Sequence, residues 1–265
     1  MSTPLFWVDA FTDTPFSGNP AAICLLEAPA EDAWMQALAF ELGLAETAFV
    51  VTTGDHEYGL RWFTPTVEIA LCGHATLASA HTLFESGRTT GPITFHTQSG
   101  PLICTRIGDQ QDPRIEMDFP AVPPSPTPAP PGLIEALGVN PVAVLDNRQW
   151  FIVEVATAAE VEQATPDLAR LATICDGASL TARSNRPGTD IVSRVFGPGV
   201  GVDEDSVTGS VHCALTPYWC EKLGKTELVA YQASARGGTL HLRLAGDRVF
   251  LAGHAVTIMS GALAI

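Results

Sequence analysis

Two stretches far apart in this chain run in parallel. RWFTPTVEIALCGHATLASAHTLF occupies 61–84 and RVFGPGVGVDEDSVTGSVHCALTPYW occupies 194–219. Arg61 and Arg194, Phe63 and Phe196, Pro65 and Pro198, and Val67 and Val200 match at one constant offset. After a three-residue insertion, Gly73 falls on Gly209 and a helix-like run follows each glycine. Downstream, FHTQSGPLICTRI and YQASARGGTLHLRL both read as strand, turn and strand. An ordered series of this kind marks a repeated unit, which restricts the chain to two similar α/β halves. Each half then has a strand, a glycine turn and an apolar helix. The many small residues of those helices suit a place inside a wrapped sheet.

The segment between the repeats supports that division. FPAVPPSPTPAPPG at 119–132 holds seven prolines, which neither a helix interior nor a central strand accepts. The expected organisation is a first half over 1–120, a proline-rich linker over 121–132 and a second half over 133–265. The C-terminal strand could cross back to the first half. At 265 residues the chain is long enough for two cores. In the first half, LFWVDAF, AAICLLE, ETAFVVTT and EYGLRWFT read as strands, with turn chemistry at TPFSGNP. The spacing predicts one helix over 31–43, stopped by Gly43, and another through HATLASAHTLFESG, closed by Gly87.

Charge and composition exclude several functions. The net charge of −15 repels phosphate backbones, so nucleic-acid binding is disfavoured and any anionic substrate must rely on local donors. No apolar run approaches a membrane span. The opening MSTPLFWVDAF has no basic region of the secretory kind. None of the six cysteines forms a CxxC pair, so buried reduced thiols in a cytoplasmic protein are expected. There is no zinc-type ligand spacing, Walker A sequence or GxGxxG fingerprint, so neither a metal nor a nucleotide cofactor is indicated.

The chemistry concentrates at the two glycine turns. Gly73 and Gly209 each precede a helix start, where unpaired N–H groups and the positive end of the dipole suit a carboxylate or an oxyanion. Close helix packing explains the same glycines equally well. His74 follows Gly73, where the helix dipole would favour a neutral ring. Asp205 lies in DEDSVTGS just before the second turn, and it is a proton-transfer candidate, a cap or a solvated loop acid, with Asp203 and Glu204 as competitors. Glu46 in GLAETAFV lies where a helix gives way to a strand. Partial burial there would raise its pKa as a proton shuttle needs, and an exposed loop acid fits the pattern as well.

Taken together, VDAFTDTPFSGNPAAICLL, AETAFV, LRWFTPTVEIALCGHATLA and EDSVTGS resemble the PhzF-like family, which comprises the phenazine biosynthesis isomerase and its relatives. More distantly the chain is similar to diaminopimelate epimerase. The resemblance covers essentially the whole chain. It implies an α/β fold of two pseudo-symmetric halves, each a curved, mostly antiparallel sheet round a central helix, with a cleft between them. It also implies a cofactor-free enzyme acting on a small carboxylated substrate, commonly a homodimer. The family's shuttle glutamate falls on Glu46, its histidine on His74, and its aspartate and serine on Asp205 and Ser210. Gly73 and Gly209 would supply backbone donors, and Asn19 matches an asparagine near substrate in the wider superfamily. One departure is Ser206, which stands where the family has proline.

Epimerases of this fold use two opposed cysteines. Cys72 lies at the position of the first, and the second falls near Ser206, with Cys213 about a turn into the helix. A serine of ordinary pKa does not replace a thiolate base. Cys72 therefore reads as a packing residue, and the isomerase reading stands ahead of two others. One is an amino-acid epimerase using Cys72 as one base; the other is a non-catalytic small-molecule binder.

Overall fold

The computed structural model describes residues 2–109 and 111–264. The chain divides into two compact units. One runs to Asp118 and resumes at Ala252; the other is Phe119–Leu251.

The first unit begins with an antiparallel hairpin, Thr3–Ala10 against Asn19–Leu26. The helix Asp32–Leu42 follows and ends on Gly43 in the left-handed region. Glu46–Gly54 then lies parallel to Asn19–Leu26, with Ala21 opposite Glu46. Glu57–Phe63 pairs antiparallel to it. After the helix Gly73–Glu85, Ile93–Thr97 pairs parallel to Glu57–Phe63, and Gly100–Ile107 turns back on it. The C-terminal strand Ala255–Leu263 pairs antiparallel with the first strand, Thr3 opposite Leu263.

The Gly73–Glu85 helix is buried on nearly every face, as a helix inside a wrapped sheet must be. Its small side chains allow this. Its buried hydroxyls bond back one turn: Thr76 to the Cys72 carbonyl at 2.5 Å, Ser79 to Ala75 at 2.7 Å and Thr82 to Ala78 at 2.9 Å. No polar group of these three is left unsatisfied.

The second unit repeats the succession. Pro141–Asp146 and Phe151–Val155 form a hairpin, and Ala178–Arg183 lies parallel to its second strand. Ile191–Gly197 pairs antiparallel, the helix Gly209–Leu223 follows, and Glu227–Gln232 returns parallel to Ile191–Gly197. A shared ion pair reinforces the correspondence. Arg61 grips Glu68 through two nitrogens at 2.7 and 2.6 Å, and Arg194 grips Glu204 at 2.7 and 2.9 Å. Each guanidinium also lies over a ring, Phe63 or Phe196. Glu204 is thus committed to Arg194 and drops out as a rival to Asp205.

The proline-rich stretch is docked on the second unit. Ser125–Pro126 pairs with Leu145 and Asp146. Pro217 sits inside the Gly209–Leu223 helix and has no N–H to offer the Cys213 carbonyl. The Val122 N–H takes that carbonyl at 3.1 Å. No helix among the described residues is long and apolar enough to cross a membrane.

Candidate active site

Asn19, Glu46, Cys72 and His74 converge at one end of the first unit's sheet. Asn19 is placed by the tight turn before it. Gly18 has φ +66°, and a Cβ there would meet the Ala10 carbonyl oxygen at 2.2 Å, so only glycine fits. Glu46 opens its strand opposite Ala21, two residues beyond Asn19. Cys72 is the N-cap of the buried helix, and Gly73 and His74 form its first turn.

The His74 ring bridges the group. Its Nε2 lies 3.1 Å from Glu46 Oε2. Its Nδ1 faces Asn19 Nδ2 at 3.1 Å and Cys72 Sγ at 3.5 Å. The His74 side chain is 6 % exposed and the Glu46 side chain 15 %. The carboxylate–imidazole approach is off the line of a good hydrogen bond, and neither facing atom has one elsewhere among the described residues. The contact is therefore an ion pair shut away from water, where attraction between charges is strong.

Burial works against a charged His74, but the neighbouring Cys72 and Glu46 outweigh it and raise the imidazolium well above the ordinary value of 6.5. Burial also pushes the Cys72 thiol up, and Glu46 adds to that. A thiol held neutral exerts little field, so Glu46 is the anion that keeps the ring charged. This corrects the expectation of a ring held neutral by the helix dipole. The helix end carries only about half a unit charge, and a full carboxylate charge lies beside the ring. The Asn19 amide suits either state, presenting oxygen to a protonated Nδ1 and nitrogen to a bare one.

In the second unit, Asp205 ends a short strand and lies close to the start of the Gly209–Leu223 helix. The Thr208 hydroxyl donates to Asp205 Oδ2 at 2.6 Å. Gln232 accepts from the Thr208 N–H at 2.8 Å and donates to the Asp205 carbonyl at 2.7 Å. Gly209 and Ser210 begin the helix, Gly209 buried and Ser210 partly exposed. Neither Cys72 nor Thr208, the N-cap residues of the two central helices, caps its helix through its own side chain. Thr208 and Gln232 escaped the sequence reading. Thr208 was accessible through the repeat, since Gly73 and Gly209 align and Cys72 and Thr208 precede them.

That alignment moves the counterpart of Cys72 from the neighbourhood of Ser206 to Thr208, the N-cap of the second helix. Cys213 is spent inside the helix, its thiol against the Gly209 carbonyl at 3.6 Å. All six cysteines are free, and all but Cys175 are buried.

Glu46 also has a counterpart by strand register. Thr47 pairs with Phe63 as Ala178 pairs with Phe196, so Glu46 corresponds to Gly177. A Cβ on Gly177 would lie 1.8 Å from Cζ3 of Trp150. In the second unit an indole fills the space where the first unit has its carboxylate.

Strands laid round one buried helix, repeated along the chain, define the diaminopimelate epimerase-like fold. The chain belongs to the phenazine biosynthesis-like (PhzC–PhzF) family, whose model matches residues 8–261. It is 47 % identical to an uncharacterized isomerase of Halalkalibacterium halodurans, the alignment covering 99 % of both chains. A solved PhzF-family protein of Enterococcus faecalis superposes with a TM-score of 0.93 at 38 % identity, covering all of both chains. A probable proline racemase of Agrobacterium radiobacter shares the fold alone, with TM-score 0.65 at 11 % identity over 100 % of this chain and 93 % of that one. Among the described residues, Glu46, Cys72 and His74 are the one group of His, Cys and acidic side chains with donor atoms close enough for a cation, within 4.8 Å of one another.

Proposed function

We propose that this chain is a cofactor-independent isomerase that moves a proton between carbons of a small carboxylated substrate, with Glu46 as the shuttle. The observation that carries the reading is the Glu46–His74 pair at 3.1 Å. A carboxylate removes a proton from an activated carbon, becomes a neutral acid, and returns the proton to a second carbon of the conjugated system. His74 faces that carboxylate and offsets the charge that moves onto the substrate. Asn19 orients the ring. Asp205 and Ser210 are assigned to the same reaction by the motifs they occupy. The N–H groups at Gly73, and in the other unit those at Gly209, each suit a carboxylate, which lets an acidic protein hold an anion without a basic patch.

The epimerase reading requires a second base matching Cys72, and Thr208 cannot ionise in the accessible range. Incubation in D₂O with a panel of small amino and hydroxy carboxylic acids, read by mass spectrometry, tests the proposal. Carbon-bound deuterium should accumulate with the natural enzyme and not with folded Glu46→Gln. Undiminished exchange in that variant would remove Glu46 from the role.

A further inference from the structure

We propose that Glu46, Cys72 and His74 together bind a thiophilic divalent cation of the zinc type, and that ion binding and proton transfer at this site exclude one another. The set is one carboxylate, one sulfur and one imidazole, the donor types such an ion takes. The spacing fits as well. A tetrahedral ion with Zn–S of about 2.3 Å and Zn–N of about 2.0–2.1 Å holds those ligands about 3.5 Å apart. Cys72 Sγ and His74 Nδ1 already stand at 3.5 Å. Glu46 completes the set within 4.8 Å. Its Oε2 now faces His74 Nε2, across the ring from the Nδ1 that faces Cys72, so joining the ion takes a side-chain rotation that breaks the Glu46–His74 pair.

Three protein ligands leave the fourth position for water, the pattern of an open zinc site. As the Zn–S and Zn–N bonds form, the Cys72 thiol and the His74 imidazolium each release one proton to solvent, and the ion takes the thiolate and the neutral ring. No electron is transferred. The occupied carboxylate can no longer accept a proton from carbon. This rests on the proton-shuttle reading only for its consequence; the binding itself does not.

Cobalt(II) added to chelator-treated protein tests the binding. One ion per chain should give a near-ultraviolet thiolate-to-cobalt band and the intense visible bands of a tetrahedral site, both displaced by Zn²⁺. Cys72→Ser, close to isosteric, should lose the thiolate band, and His74→Asn the tetrahedral pattern. Circular dichroism establishes that each variant is folded, and zinc-induced thermal stabilisation of the natural protein gives a second readout. Absence of a thiolate band at saturating cobalt, or its persistence in Cys72→Ser, overturns the proposal. Isotope exchange that continues with the site filled overturns the exclusion. A thiolate band in a protein that exchanges no substrate proton keeps the metal site and removes the isomerase reading; exchange without the band does the reverse.

Discussion

Glu46 Oε2 and His74 Nε2 meet at 3.1 Å, one carried on the first residue of a strand and the other in the first turn of a buried helix. Glu46 lies opposite Ala21 in the sheet, and His74 is buried in its helix. Strand pairing and helix placement, not a loop, bring the two groups together.

The pair has a signature in pH. His74 should titrate well above 6.5 because Cys72 and Glu46 outweigh its burial, and its ring signals followed by NMR should move back toward that value in Glu46→Gln. A folded-state value raised above the unfolded one stabilises the protein fully below 6.5 and loses that contribution as pH climbs through the raised value. Urea denaturation should show the natural protein's advantage over Glu46→Gln narrowing at high pH. A gap that widens there would contradict the assignment.

Cys72 should be a poor nucleophile. Burial and Glu46 both push its thiol up, and the thiolate is the reactive form. Iodoacetamide at neutral pH should label the peptide carrying Cys72 far more slowly than an exposed thiol, as mass spectrometry would measure. Rapid labelling, blocked by a carboxylated ligand, would revive the reading in which Cys72 acts as a base.

His212 predicts acid sensitivity in the second unit. It is fully buried, its Nδ1–H donating to the Thr208 carbonyl at 2.7 Å and its Nε2 facing the Ser193 hydroxyl at 3.3 Å. Burial lowers it to about 4 from 6.5. Here the unfolded chain takes up the proton first, so stability falls as pH drops from 6.5 towards 4. At about 1.36 kcal/mol per unit this is worth roughly 3 kcal/mol. Denaturation profiles of the natural protein and a folded His212→Gln variant should converge as pH falls through that window.

Gly177 should tolerate no side chain. A Cβ there would lie 1.8 Å from Trp150 Cζ3 and 2.5 Å from the Phe196 carbonyl oxygen. Gly177→Ala should cost about 1–3 kcal/mol or more, as overpacking does. Combining it with Trp150→Ala should recover part of that loss and not all, because the Phe196 carbonyl is backbone. Fully additive costs in the double variant would show that the indole is not the obstacle.

Much of this molecule could be read locally. The glycine turns mark both central helices, and the structure begins them at Gly73 and Gly209. The Asp32–Leu42 helix stops at Gly43, where φ of 64° is open to glycine at little cost. The proline-rich stretch was harder to read. Its lack of regular pattern gave no sign that the Val122 N–H would serve the carbonyl that Pro217 leaves without its usual donor.

Sequence alone determined the repeat, the family and the residue types available for chemistry, because offsets, turn glycines and motif order are properties of the chain itself. Only the tertiary structure decided which groups meet. The sequence carries no zinc-type spacing, yet strand pairing and helix burial bring the ligand atoms of Glu46, Cys72 and His74 within 4.8 Å of one another. The charge on His74 was decided in the same way. The helix dipole can be read from sequence, but the carboxylate that overrides it arrives by strand pairing, and a buried ring answers to its nearest full charge.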